Sequence, residues 1–428
     1  MRVQFLIFTL SLIALSSYGQ QSVKTYYDPG KTQIKEVYVT VNNLPEGNYT
    51  LYYDDGSLAQ KGIFTKGNKE GIFVDYYPYT KDTLRVTTYR ENKKEGESIS
   101  YHPNGRVSQI AFYTNDIIEG KVDSFYESGE LRTSTFFSNN LPNGKSTSYY
   151  EDGQIEQETI YENGILQGTL TSYFDNGVIE EVAHYKNGEL EGNMVNYYPT
   201  GSISSSIQYK SGVKDGNFIT YFPSGSIEKE GKYRRGLPNG TFIEYHEDGR
   251  VARKSVFNKG IIKGDAITLY PSGEKMETIS HDKNGRPTLK TTFYPSGKLM
   301  SEIAYRSGVP HGTQTTYHEN GMVIEEVTFI NGKREGLSQR LNLNGTVIIE
   351  RRFVNGRQTG EEKEFYDDGK IKSITLYTAD WKEGKHQSFH PNGKLAVEGQ
   401  FGANKKTGTW KFYDHNGTLS GEENFTKE

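Results

Sequence analysis

Histidines and paired carboxylates are the residues of this chain best suited to bind a metal or move a proton, and their spacing argues against both. His102, His246, His318 and His390 occupy one recurring position, and they stand 72 or 144 residues apart. Metal ligands must lie about 2 Å from one ion, so residues separated by whole structural units do not converge. Tyr or Phe fills the same position between them, except for Asn342. The acidic pairs Asp54 with Asp55, Glu151 with Asp152, and Asp367 with Asp368 are of calcium-ligand type. Several of the intervening units, however, carry Pro-x-Gly turns without carboxylates, as at 103–105, 199–201, 223–225 and 271–273, and calcium needs several oxygen ligands per ion. Turn chemistry, in which an Asp side chain bonds its own backbone, accounts for them better. No GxSxG, HExxH or phosphate-loop motif is present, and no cysteine is available as nucleophile. The reading is a protein that is not an enzyme and holds neither metal nor cofactor.

The elements that would position any site are set by a period. The stretch Tyr221 to Tyr245, YFPSGSIEKEGKYRRGLPNGTFIEY, repeats every 24 residues, and its first glycine recurs without a break from Gly105 to Gly417. With Gly56 and Thr80 there are 16 units. A fixed short period marks an array whose units bury their apolar face by stacking on neighbours. Each unit holds two turn signals, PSG at 223–225 and the position of Gly236. The latter is filled only by Gly, Asn or Asp, the departures being Asn43, Asn92, Asp116, Asn140, Asn284, Asp380 and Asn404. These are the residues that enter the left-handed region at least cost, so the position reports a backbone angle.

Between the turns lie segments of roughly 5 to 7 residues, the usual strand length, rich in Tyr, Phe, Ile, Val and Thr. The fold class expected is all-β: an elongated, single-layer twisted sheet of about 16 tandem hairpins, or about 32 strands. Tyr221, Ile227 and Tyr233 share parity, which predicts one common face if the turn preserves the pleat. The first hairpin, about 26–47, is atypical because two extra residues precede Asn43. YYPYTKDT around Thr80 predicts a longer, irregular loop, and the period is disturbed again at HDKNGRPTLK.

Only 33% of residues are hydrophobic while 13% are aromatic, with 32 Tyr and 47 Gly. Bulk is therefore concentrated in amphipathic rings. Arg2 followed by FLIFTLSLIAL, with Ser17 and Gly19 before Gln20, reads as a signal peptide over 1–19 and a continuous array over 20–428. The run is short for a membrane span, so membrane insertion is not expected. Its removal moves the formal charge from -4 to -5. Evenly interspersed charge of that sign gives no case for nucleic acid. Export places the chain in the periplasm, at the outer surface or in the medium.

The unit GTWKFYDHNGTLSGEENF, Gly408 to Phe425, resembles the MORN-repeat-variant family, a bacterial relative of MORN repeats. Gly408, Trp410, Tyr413, Gly417, Leu419 and Phe425 match the family pattern GxWxxYYxxGxLxxExxYxxGxxxG, and the resemblance covers nearly the whole chain after residue 19. Trp is almost absent from its column elsewhere, where Met194, Phe218 and Phe242 stand instead. The resemblance implies an elongated single-layered sheet that serves as a scaffold for protein association. Many members of the variant family carry an antitoxin label, which export puts in doubt.

The reading is therefore an exported scaffold for a protein partner. A cell-surface glycan-binding repeat and an antitoxin-like inhibitor of a protein toxin are the alternatives, and end-to-end self-association is possible at the final strand. The candidate contact is the second aromatic column, Tyr198, Phe222, His246, Tyr270 and Tyr294. These follow Tyr197, Tyr221, Tyr245, Leu269 and Phe293, so alternation sends them to the opposite face.

Overall fold

The computed structural model describes residues 19–425. The expected signal segment lies outside the described residues except for Gly19. The described chain is all-β, with no helix, and falls into two compact units, the first ending at Gly201 and the second starting at Ser202. Within each unit, consecutive strands pair antiparallel in chain order.

One hairpin shows how the sequence produces this. Val213–Tyr221 and Ile227–Arg234 pair through Gly216 with Tyr233, Phe218 with Gly231 and Ile219 with Glu230. The register then slips between Thr220 and Tyr221, so that Tyr221 opposes Ile227. The described residues form forty strands, where the period predicts about 32. The leading hairpin adds Gln21–Tyr26 and Ile34–Val41, and six two-residue stubs, such as Ile165–Leu166, are split by a bulge from the strand that follows.

Phe222 N–H donates to Ser226 O at 2.9 Å and Gly225 N–H returns to Phe222 O at 2.8 Å, with Gly225 at φ 89°. Around Thr80 the enclosing bond runs instead from Tyr77 N–H to Asp82 O, a longer loop as expected. At the second turn both central residues are left-handed: Arg235 at φ 51° and Gly236 at φ 79°. This is a type I′ turn, whose twist matches that of the flanking strands. Asn92, Asp116, Asn140, Asp380 and Asn404 take the same conformation at φ 65 to 77°. Asn284 does not. There the turn is of the first kind, and Gly285 carries the positive φ of 79°.

The residue before that glycine also pays a left-handed cost, and the preceding unit offsets it. Asn115 N–H donates to Glu95 Oε2 at 2.9 Å, Asn187 N–H to Gln167 Oε1 at 2.7 Å and Ala403 N–H to Glu383 Oε2 at 2.8 Å. The next residue donates to a carbonyl of the same neighbour: Gly164 to Pro142 O at 2.7 Å, Asn140 to Ile118 O at 3.2 Å. Where Asn or Asp replaces Gly, its side chain also accepts from the neighbour's N–H, as Asn140 Oδ1 does from Ile118 at 2.8 Å and Asp380 Oδ1 from Gln358 at 2.7 Å. Pro142, Pro238 and Pro310, which have no N–H to offer, all face a glycine: Gly164, Gly260 and Gly332.

In each unit the core is a seam along one face of the sheet. Phe73 is buried in that of the first, Phe242 and Trp410 in that of the second. Phe242 packs edge-on against Tyr233 and Phe257 at 5.5 and 5.3 Å between centroids. Each large ring lies over a glycine of the preceding strand: a Cβ at Gly62, Gly231 or Gly399 would stand 2.3, 2.4 or 2.2 Å from it. Where the seam is polar, the same two positions complement each other chemically. Thr87 bonds Ser98 at 2.9 Å, Thr375 bonds His386 Nδ1 at 2.9 Å, and Arg351 Nε donates to Glu362 at 2.6 Å.

The three ring and aliphatic columns do not share one face. Tyr233 belongs to the seam. Tyr245, the counterpart of Tyr221 one unit on, donates its hydroxyl to Glu230 Oε1 at 2.6 Å. Glu230 pairs with Ile219, which alternation places on the face opposite Phe218. The bulge breaks the pleat that parity assumes.

Candidate partner surface

The second aromatic column is half-buried throughout its five candidate members. Tyr198 lies in the first unit, and Phe222, His246, Tyr270 and Tyr294 lie in the second. Tyr270 donates its phenol to Phe293 O at 2.9 Å and Tyr294 to Tyr317 O at 2.8 Å. Each bond reaches the carbonyl of the strand ring one unit ahead. Tyr53, Tyr77, Tyr126, Tyr150 and Tyr366 make the same bond at 2.7 to 2.9 Å. Histidine substitutes because its Nε2 reaches the same acceptor: His102 to Phe125 O and His390 to Tyr413 O, both at 2.9 Å. His246 departs from this, since its Nε2 is buried without a partner. Phe222 has no polar tip and shares a shallow cleft with Thr220, Glu228, Lys229, Glu244 and Tyr245, across which Lys229 and Glu244 pair at 2.9 Å. The polar ends of this column thus tie one repeat to the next.

The turn carboxylates are bound locally, as turn chemistry requires. Asp152 Oδ1 accepts from Gln154 N–H at 2.9 Å, and Asp368 Oδ1 from Lys370 N–H at 3.1 Å. The Ser57 hydroxyl and N–H hold the Asp55 carboxyl below its ordinary range, and the Arg250 N–H does the same for Asp248. No group of three or more metal-ligating side chains is assembled among the described residues. In the opposite direction, the bond to Glu230 pushes the Tyr245 phenol up to about 12. These shifts arise from pairs that hold turns and strands, and no two of them converge on a common cleft.

The exposed apolar side chains stand elsewhere. Phe112, Phe136 and Ile160 each precede a seam tyrosine or phenylalanine and point to the other face, and Ile117, Leu141 and Ile165 follow the type I′ turns. Their 24-residue spacing is legible in the sequence, but their exposure is not, because either face of a single sheet could have been the covered one. Among the described residues, no helix is long and apolar enough to cross a membrane.

Hairpins tied repeat to repeat by backbone-directed bonds, with apolar side chains left on one face, define a repeat scaffold. The chain belongs to the family described as MORN repeat variant, whose model matches residues 45–66, 94–115, 142–163, 166–187, 190–211, 214–235, 289–306, 310–331, 358–379, 382–402 and 406–427. Repeats of this family commonly act as protein-binding scaffolds. No curated protein matches the chain. Among solved structures, TcdB2-TccC3 is similar over 89% of this chain and 24% of that one, at 12% identity and a TM-score of 0.14. The Photorhabdus luminescens Tc holotoxin pore is similar over 94% and 23%, at 10% identity and a TM-score of 0.14. TcdB2-TccC3 without its hypervariable C-terminal region is similar over 96% and 31%, with the same identity and score as the pore. The chain spans 23 to 31% of the length of these structures.

Proposed function

We propose that this chain is an exported, non-enzymatic scaffold whose repeats hold a protein partner. The observation that carries the reading is the local commitment of its reactive side chains. The turn carboxylates bond their own turns, and most rings of the second aromatic column bond the next repeat. What the repeats leave available is surface. Export rests on the apolar run behind Arg2 and the small residues before Gln20.

Two measurements test this. Fractionation with amino-terminal sequencing is expected to find the chain outside the cytoplasm and cleaved near Gly19; an intact terminus in the cytoplasm would remove the export reading and favour the antitoxin-like one. Capture of envelope proteins by the purified chain, beside a glycan array, is expected to return protein partners. Repeating both with Tyr198, Phe222 and His246 changed to Ser then decides the role of that column. Loss of proteins makes it the contact, and loss of glycans alone favours the glycan-binding alternative. Retention of every partner leaves the column a purely structural tie.

A further inference from the structure

Three consecutive repeats of the first unit carry an uninterrupted apolar zigzag on the face opposite the seam. Phe112, Ile117, Phe136, Leu141, Ile160 and Ile165 are each between 38 and 50% exposed. Thr114 pairs with Ile117, Ser138 with Leu141 and Glu162 with Ile165. Alternation therefore puts each ring or Ile160 on the same face as the aliphatic that follows it. Lys121 and Lys145 stand in the same row, opposite Phe136 and Ile160. Both are already neutralised, Lys121 by Asp123 at 2.9 Å and Lys145 by Glu158 at 2.6 Å. The zigzag ends in polar residues, Thr88 and Lys93 before it and His184 and Glu189 after it.

We propose that this apolar face docks an amphipathic α-helix of a partner protein, one with a heptad apolar repeat. This rests on the scaffold reading above and names the surface and the kind of partner. The six side chains fall on successive strands, so along the stack they recur at about 4.8 Å, alternating between two rows. The a and d positions of a helix alternate between two rows in the same way, at steps of about 4.5 and 6 Å and a heptad of about 10.5 Å. Two strands span about 9.6 Å, so a helix lying along the stack falls out of step by only about 1 Å per heptad across three repeats. The surface offered is on the order of 500 Å², within the range of the largest and often functional apolar patch of a monomer. It falls short of the roughly 800 Å² per partner of a standard interface, which argues against a second copy lying face to face on it. The ends add polarity: Glu189 suits the positive amino end of a helix and Lys93 the negative carboxyl end.

The test uses the full chain and a fluorescent amphipathic peptide of about three heptads with Leu at a and d. A peptide of the same composition with the heptad order scrambled is the control. Expected is binding that weakens at least about tenfold both for the scrambled peptide and for the variant Phe112→Ser/Phe136→Ser/Ile160→Ser, folded by circular dichroism. Val213→Ser/Leu237→Ser/Ile261→Ser in the second unit should bind like the parent chain. Equal binding of both peptides, binding undiminished in the first variant, or concentration-dependent dimerisation abolished by it would overturn the proposal. So would binding to neutral phosphatidylcholine vesicles with the same sensitivity and none to the peptide. If the peptide fails while envelope proteins are still captured, the helix-docking proposal is wrong and the scaffold stands; if both fail, the scaffold reading falls with it.

Discussion

The Trp410 indole occupies the space that a side chain at Gly399 would need: a Cβ there would lie 2.2 Å from Trp410 Cδ2. The glycine is thus required by its neighbour one strand away, at a position outside the left-handed region. The seam is a series of such co-adapted pairs, and their complementarity can be measured.

Gly399→Ala is expected to destabilise the chain by about 1–3 kcal/mol through overpacking. Gly399→Thr combined with Trp410→Ser recreates the chemistry of Thr87 and Ser98 and should cost less than the sum of the two single changes. A double-mutant cycle in urea melts reads the coupling; additive losses would show that the pair does not interact.

Tyr270→Phe removes the phenol bonded to Phe293 O and should cost about 0.5–1.5 kcal/mol. Tyr270→His is expected to cost less, since His102 and His390 make the equivalent bond. Amide exchange on either side of the substituted repeat would report the loosened junction. Equal protection in all three proteins would show that the phenol bond contributes nothing.

Asparagine at the left-handed turn should be tolerated according to what faces it. Gly188→Asn can accept from the Leu166 N–H, whereas Gly164→Asn faces Pro142, which has none. The first is expected to retain more stability than the second, by about 0.5–1.5 kcal/mol. Melts that rank them the other way would remove the side chain's role as acceptor.

Acid should weaken the chain near His386. Burial holds its imidazole below the ordinary 6.5, with Lys382 and Lys406 adding to the effect and Glu364 opposing it. Its ring stacks on Trp410 at 5.4 Å while Thr375 bonds Nδ1. The unfolded chain therefore takes up this proton first, so stability is held above about pH 6.5 and lost as pH falls through the lower folded value. His386→Phe should flatten that part of the stability profile, and an NMR titration of the ring gives the folded midpoint directly. A midpoint at or above 6.5 would contradict the assignment.

By itself the sequence determined the period, the all-β class and the left-handed turn positions, because each of these is imposed locally. A left-handed residue or a strand of given length admits few residue types, and repetition prints that restriction every 24 residues. Asn284 misleads because a neighbouring glycine, Gly285, takes the left-handed angle in its place. Faces were decided only in three dimensions. A bulge between Thr220 and Tyr221 reverses the parity that alternation predicts, and nothing in the residue types announces it. The ties between repeats were equally hidden. Tyr270 and Phe293 O, or Asn115 and Glu95, lie 20 to 23 residues apart and meet only when one hairpin stacks on the next. For the same reason an aromatic column that looks like free surface in the sequence is half-buried in the fold and for the most part bonded to the next repeat, and the apolar side chains left open to solvent are those that stacking leaves uncovered.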